Sequence, residues 1–457
     1  MAEKVSYKQI WEVIQLLDKC SAGDVIASFS IDDLSGINTL VKSYSENYAE
    51  QIEGAFEQIK SAGDDVLTRG KKIGEWITKS KSVCAMKLSI ALNGMENEEI
   101  PEVVEILEFY LDTELSDSVK ALGLYNTAAT FASRDAELCY ELQTKSFELY
   151  PELATVFGID YVYQPQLIKD RYFDTCPICG GEESHGLYCV PQFVGLKTGS
   201  CLAPIKLWKK CHDCGNLYAY NFPVTEMGEM NGHYTKKSTY SVIEPRYGLR
   251  VYSDIFNKCK QYTSGNKYLE IGIGGGEMIA AAMEMGYDVD AVEICKEDCE
   301  KVSSVLGIDI KWCDFIQYEN DKTYDLIIMG DVLEHVSEPI TALSKAVSML
   351  NTGGVLWLST PNYNSGFTRL KKFTDAMWNQ KNHFTYFSYE TLLPFLEAVG
   401  LEVKRYDISR EDLAEKLGIT KRTLIKVVNH PFRYNVDYLN KVASIIGCNI
   451  NDFFMPL

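Results

Sequence analysis

Leu269-Glu270-Ile271-Gly272-Ile273-Gly274-Gly275-Gly276, followed by a helical stretch over 277–285, decides the fold of this chain. An apolar run ends in glycines and gives way to a helix. Glycine lets a backbone turn sharply and lets a ligand approach with no Cβ in the way. The same texture repeats on both sides. Short apolar runs at 267–271, 288–294, 308–312, 324–329, 354–359 and 401–406 alternate with helical stretches. That alternation predicts βαβ units and a doubly wound parallel sheet.

A bare G-x-G-x-G fits a dinucleotide site or a plain tight turn, and three further features narrow it. The second run ends in Glu293, about twenty residues beyond the glycines, where a carboxylate can accept both hydroxyls of a ribose. Trp312-Cys313-Asp314 closes the third run, where a carboxylate can accept an adenine amino group. The fourth run leads through Gly330 into Asp331-Val332-Leu333-Glu334-His335-Val336. Ligands of open α/β sheets lie beyond the carboxyl ends of the strands, where all of these residues fall. The dehydrogenase fingerprint G-x-G-x-x-G is not matched.

The ordered set L-E-I-G-I-G-G-G, A-V-E-I, D-V-L-E-H-V, G-G-V-L-W-L-S-T-P-N and H-F-T-Y-F-S-Y-E-T-L resembles the class I methyltransferases of the ubiquinone-biosynthesis type. The resemblance implies S-adenosylmethionine as cofactor and a Rossmann-like core. It implies that Glu270, Gly272, Gly274 and Gly276 shape the methionine pocket and that Glu293 binds ribose. It also implies that Asp314 flanks adenine and that Asp331 with Val332 lies near the methionine end. Transfer from a sulfonium to oxygen or carbon needs alignment and a base. His383 and His335 are the candidate bases, since imidazole titrates near neutrality. Both also fit packing or capping roles.

Cys176-Pro177-Ile178-Cys179-Gly180 and Cys211-His212-Asp213-Cys214-Gly215 form a C-x2-C…C-x2-C pattern. Each pair bends around a turn closed by glycine, so two thiolates can face one ion, and two pairs make a closed tetrathiolate site suited to structural Zn²⁺. A hairpin carrying Cys189 and Cys201 would fill the long gap between the pairs. Ligation by His185, Cys189, Cys201 or His212 in place of one cysteine is the alternative. The fourteen cysteines otherwise lack patterned spacing, as expected in a reducing compartment. Some sugar C-methyltransferases are similar in arrangement, with a cysteine-rich module directly ahead of the catalytic domain.

Residues 1–160 read as helices, with apolar residues at three- and four-residue spacing in Ile10-Trp11-Ile14-Leu17 and Val103-Val104-Leu107-Leu111. Residues 409–424, Ser-Arg-Glu-Asp-Leu-Ala-Glu-Lys-Leu-Gly-Ile-Thr-Lys-Arg-Thr-Leu, resemble the helix-turn-helix of phage-repressor-like domains of the Cro/C1 type, with Gly418 at the turn and Thr420 as a cap. The chain is therefore read as a multidomain α/β protein in four parts. They are an all-helical domain at 1–160, a zinc-ribbon-like module at 161–225, a class I methyltransferase domain at 226–406 and a repressor-like helical domain at 407–457.

Charge limits the partners. The net charge is −19, and residues 1–160 hold 14 basic against 28 acidic side chains. Such a body opposes broad phosphate-backbone binding. Only 405–457, with 8 basic against 6 acidic, escapes that objection, so any DNA contact falls on 409–455. A nucleic-acid methyltransferase is disfavoured, because Gly330-Asp331-Val332 stands where Pro-Pro-Tyr would be expected and no Pro-Cys pair occurs. The expected function is methyl transfer to a small-molecule or glycan acceptor, with sugars or sugar-nucleotides leading. A DNA-binding regulator that senses a metabolite through the same fold is the alternative. No stretch has the roughly 18 apolar residues a membrane helix needs, and the start lacks a signal-peptide core, so a cytoplasmic location is expected.

Overall fold

The computed structural model describes residues 5–21, 30–63, 65–92, 97–113, 115–223 and 245–406. The repressor-like segment at 409–455 lies outside the described residues. Contacts divide the chain into two units, Met1–Ile168 with Gly186–Leu207, and Lys169–His185 with Trp208–Leu457.

Between Tyr7 and Val156 the described residues of the first unit are mostly helical, as the three- and four-residue spacing predicts. Ile10, Ile14 and Leu17 are fully buried along one face of Tyr7–Ser21, which packs on Val66–Ala91. Asp117–Ala129 and Ala136–Leu149 form a helical hairpin, and Asp135 caps the second helix by accepting the Leu138 N–H. Among the described residues no helix is long and apolar enough to cross a membrane.

The strands, in chain order, are β1 (Arg171–Tyr172), β2 (Ser184–Pro191), β3 (Ile205–Cys211), β4 (Leu217–Ala219), β5 (Asn221–Phe222), β6 (Lys267–Ile271), β7 (Asp288–Glu293), β8 (Ile310–Trp312), β9 (Tyr324–Gly330), β10 (Leu350–Ser359) and β11 (Thr385–Tyr386). Five of them form a parallel sheet in the order β10-β9-β6-β7-β8. The chain thus winds outward in both directions from β6, the strand that ends in the glycine turn. Successive side chains of a strand point to opposite faces. On one face of the sheet Tyr268, Leu326 and Ile328 pack with Phe256, Met278, Ala281 and Ala282 from the helices Pro245–Cys259 and Glu277–Glu284.

The expected strand at 401–406 is not formed. Leu401 and Val403 alternate with charged residues as a strand would, but most of this segment is exposed, and Tyr406 stacks on Tyr389 instead of joining a ladder. Among the described residues the parallel sheet stops at β10.

The cysteine-rich segment is built into a second sheet, of order β11-β4-β3-β2. Tyr218 of β4 pairs with Thr385, and Leu217 with Tyr386, both antiparallel. Trp208 of β3 stacks on Tyr386 at 4.6 Å between ring centroids and donates its indole N–H to the Trp378 carbonyl at 2.9 Å.

Candidate functional site

Backbone conformation explains the glycines of the turn after β6. Gly272, Gly274 and Gly276 have φ of 76°, 51° and 85°, a region that side chains other than glycine rarely adopt. A Cβ on Gly272 would stand 2.5 Å from Val332, and one on Gly276 2.6 Å from Val302. Around Gly274 a Cβ would meet nothing within 4 Å, so this glycine borders open space. Gly276 is also the N-cap of the helix Glu277–Glu284.

Two carboxylates flank the turn. Glu270 is almost wholly buried and accepts the Tyr268 hydroxyl at 2.5 Å. Burial pushes its carboxyl up to about 8 against that hydrogen bond, and the charges of Glu277 and Glu293 push the same way. Glu293, at the end of β7, accepts the Ile273 N–H at 3.0 Å and the Cys295 N–H at 2.7 Å. Burial raises its carboxyl, and those two N–H groups oppose the rise. Its carboxylate therefore fastens the glycine turn to the neighbouring strand end, a task the sequence did not reveal. Asp314, at the end of β8, caps a short helical turn through the Ile316 N–H at 2.9 Å.

Beyond β9, Asp331 has φ of 52°, a conformation uncommon for a residue with a side chain. Ser359 at the end of β10 holds it: the Asp331 N–H donates to the Ser359 carbonyl at 3.0 Å, and the Ser359 hydroxyl donates to the Asp331 carboxylate at 2.8 Å. Val332 closes over Gly272, as its clash with an added Cβ requires. Glu270, the glycines, Glu293, Asp314, Asp331 and Val332 all lie on or just beyond the carboxyl ends of the parallel strands.

His335 and His383, distant in sequence, meet with ring centroids 4.7 Å apart and planes at 86°. His335 Nδ1 lies 2.8 Å from the Asn382 carbonyl, and His383 Nδ1 lies 2.8 Å from the Tyr386 hydroxyl, which itself donates to the Met377 carbonyl. A carbonyl can only accept, and a hydroxyl whose proton is already given can only accept. Both rings therefore donate through Nδ1. Glu334 completes the group. It is fully buried, Thr360 donates to its Oε2 at 3.0 Å, and its Oε1 has no hydrogen-bond partner. Burial pushes its carboxyl up to about 8, with the charge of Asp331 adding to the effect. Sequence reasoning passed over Glu334. The available signal was a carboxylate set between apolar residues and directly before a histidine.

Cys176, Cys179, Cys211 and Cys214 converge with their sulfurs all within 4.8 Å of one another. Cys176 and Cys214 Sγ are 3.8 Å apart, and Cys179 and Cys211 Sγ 3.6 Å. A tetrahedron with metal–sulfur bonds near 2.3 Å has edges of about 3.8 Å, so the donor set fits a tetrathiolate ion. Gly180 and Gly215, at φ of 79° and 71°, turn the two knuckles. A hydrogen bond from the Cys176 thiol draws the Cys214 thiol down to about 5 against the penalty of burial, with help from the Asn216 N–H. Cys189 belongs elsewhere, beside Gln143 in the first unit. His185 and His212 face each other at 2.7 Å outside the sulfur cluster.

A doubly wound parallel sheet with a glycine turn after its central strand and acidic residues at successive strand ends defines a Rossmann-like domain. Residues 246–406 match the family model described as a methyltransferase domain, and residues 403–455 match the one described as a Cro/C1-type HTH DNA-binding domain. The chain is 29% identical over 108 residues to the ubiquinone biosynthesis O-methyltransferase of Aliivibrio fischeri, a stretch that covers 22% of this chain and 46% of that one. The corresponding protein of Rickettsia typhi is 29% identical over 99 residues, covering 21% and 40%. The chain spans less than half the length of the curated relatives it matches. Among solved structures, the magnesium protoporphyrin IX methyltransferase of Synechocystis is similar at 17% identity and a TM-score of 0.32, over 41% of this chain and 91% of that one.

Proposed function

We propose that the second unit transfers a methyl group from S-adenosylmethionine to a small-molecule or glycan acceptor, with an oxygen or carbon of the acceptor as the nucleophile. The observation that carries this reading is the strand-end constellation: open space at Gly274, the carboxylate of Glu293 across the turn, and Asp331 with Val332 beside Gly272. The residues fit the cofactor in kind. Gly274 leaves room for its methionine portion while Gly272 and Gly276 shape the turn, Glu293 keeps lone pairs on both oxygens for ribose hydroxyls, and Asp314 stands one strand further out for adenine. When bound, the cofactor supplies an electrophilic methyl on a sulfonium sulfur, which departs as a neutral thioether. His335 and His383, whose rings meet just after β9 and just before β11, are the candidate bases toward the acceptor. Sugars or sugar-nucleotides are the favoured acceptor class, on the arrangement of a cysteine module ahead of the methyltransferase domain. The four converging cysteines hold a structural Zn²⁺, since a site closed by four protein sulfurs leaves no position for substrate.

Calorimetry with the demethylated cofactor tests the assignment. The intact chain binds it, and Glu293→Ala weakens binding by about tenfold or more, in keeping with the loss of charge-assisted hydrogen bonds. Because Glu293 also fastens the turn, Glu293→Gln is the companion variant, expected to retain the fold while losing affinity. Unchanged affinity in both would remove Glu293 from the cofactor site.

A further inference from the structure

We propose that residues 361–382 form a cationic lid at the strand-end site, and that its Arg369, Lys371 and Lys372 bind a phosphate or diphosphate group on the acceptor. The inference rests on the methyl-transfer reading. It narrows the acceptor to a phosphorylated one, a sugar phosphate or sugar-nucleotide in place of a free sugar.

The segment leaves and re-enters the fold at a single residue. Thr360 donates to the Glu334 carboxylate at 3.0 Å, and the Phe384 N–H donates to the Glu334 carbonyl at 2.7 Å. Glu334 follows closely on Asp331 and Val332, so the connection is closed at its base on the site itself. Connections of this length in compact domains are commonly lids or binding loops. This one carries its own framework. Ser365 caps the helix Gly366–Lys371 by accepting the Thr368 N–H at 3.2 Å, and buried Trp378 donates its indole N–H to the Lys372 carbonyl at 2.7 Å.

Its charge is opposite to that of the chain. Against a net charge of −19, residues 360–382 hold four basic side chains and one acidic. The one acid, Asp375, is buried and accepts the Met377 N–H at 3.1 Å, so it caps a turn and does not face solvent. Arg369, Lys371 and Lys372 are exposed. Screening acts over about 8 Å at physiological ionic strength, so a ligand beside the lid responds to these cations more than to the net charge. The backbone supplies a second observation. Lys372 has φ of 51° and ψ of −132°, a conformation that ordinarily belongs to glycine. Strain of this kind collects at ligand clamps, and here it is kept at a residue that brings a cation. Guanidinium and ammonium groups match the oxygens of a phosphate, which a neutral sugar does not offer.

Inorganic pyrophosphate is the probe, titrated calorimetrically into the full-length protein at low and at moderate salt. One equivalent is expected to bind, more weakly as salt rises. The double variant Arg369→Ala with Lys372→Gly should weaken binding by about tenfold or more. Lys372→Gly alone removes a cation and relieves the backbone. It should bind pyrophosphate about threefold more weakly and yet melt no lower than the parent, a combination that a purely structural lysine would not give. Circular dichroism on each variant confirms folding. No binding by the folded parent at millimolar pyrophosphate, or equal binding in the folded double variant, overturns the site. Sedimentation with phosphatidylglycerol vesicles distinguishes the source of the phosphate. Vesicle binding that the double variant loses, with no affinity for pyrophosphate or UDP-glucose, would assign the cations to a lipid surface and overturn the soluble acceptor. Calorimetry with the demethylated cofactor on the same samples separates the two readings. If the cofactor does not bind while pyrophosphate shows this dependence, the anion site stands and the methyl-transfer reading falls.

Discussion

Glu270 is buried in the wall of the central strand, where it accepts the Tyr268 hydroxyl, and that position makes folding depend on pH. Its folded-state carboxyl is raised from the ordinary 4.5 to about 8. Between those values the folded chain carries a proton that the unfolded chain has lost. Its contribution is complete below the unfolded value and is lost as pH rises toward about 8, after which the curve flattens. Glu270→Gln should therefore reduce the fall in stability between pH 5 and pH 8, measured by urea unfolding at a series of pH values. An unchanged slope would mean that Glu270 is already ionised in the folded chain. The residue itself was legible as part of the glycine motif, but its burial was not. Local pattern places Glu270 at a strand end, while desolvation depends on the helix Pro245–Cys259 that packs over the same face. Glu334 escaped for the same reason: nothing near it in sequence tells that Thr360 and the residues 382–386 close around it.

The turn between β6 and the helix Glu277–Glu284 carries a built-in contrast between glycines that shape the fold and one that faces open space. Gly276→Ala meets Val302 and forces a side chain into φ of 85°, so it should destabilise the chain by about 1 to 3 kcal/mol. Gly274→Ala carries the same kind of conformational strain but no clash. It should unfold at a temperature closer to the parent than Gly276→Ala does, and yet bind the cofactor less well than its stability suggests. Thermal melts with and without the demethylated cofactor read both effects, and equal cofactor-induced shifts in parent and Gly274→Ala would contradict the second. At this scale the sequence was most informative. Apolar runs located β6 to β10, most directly the central β6 and β9, which are buried along most of their length. Residues 401–406 misled for an equally physical reason: alternation suits an edge strand but does not supply a neighbour with open hydrogen bonds.

Over the whole second unit, the thiolate cluster and the histidine pair are joined by one sheet. The knuckle that ends in Cys214 runs into β4, β4 pairs with β11, and β11 carries Tyr386, the hydroxyl partner of His383. Tyr363 adds a bond from its hydroxyl to the Gly215 carbonyl at 2.7 Å. Cys214→Ser should lower the metal content assigned to the four sulfurs and the melting temperature together. It should also speed amide hydrogen exchange at 384–387 more than at β6. Exchange at 384–387 that stays slow in the metal-free chain would show that the two sites are mechanically independent. None of this coupling could be read from sequence, since two-residue strands carry no periodicity and their pairing is settled only when distant segments fold together.

The ladder between β4 and β11 also bears on inheritance. Residues 226–406 suggest a cassette that could pass between genes on its own, but a fragment cut there would leave β11 without its partner strand and Tyr386 without the ring of Trp208 beneath it. Recombination that moves this domain has to carry the cysteine strands with it, so the two segments are expected to travel through evolution as a single heritable block.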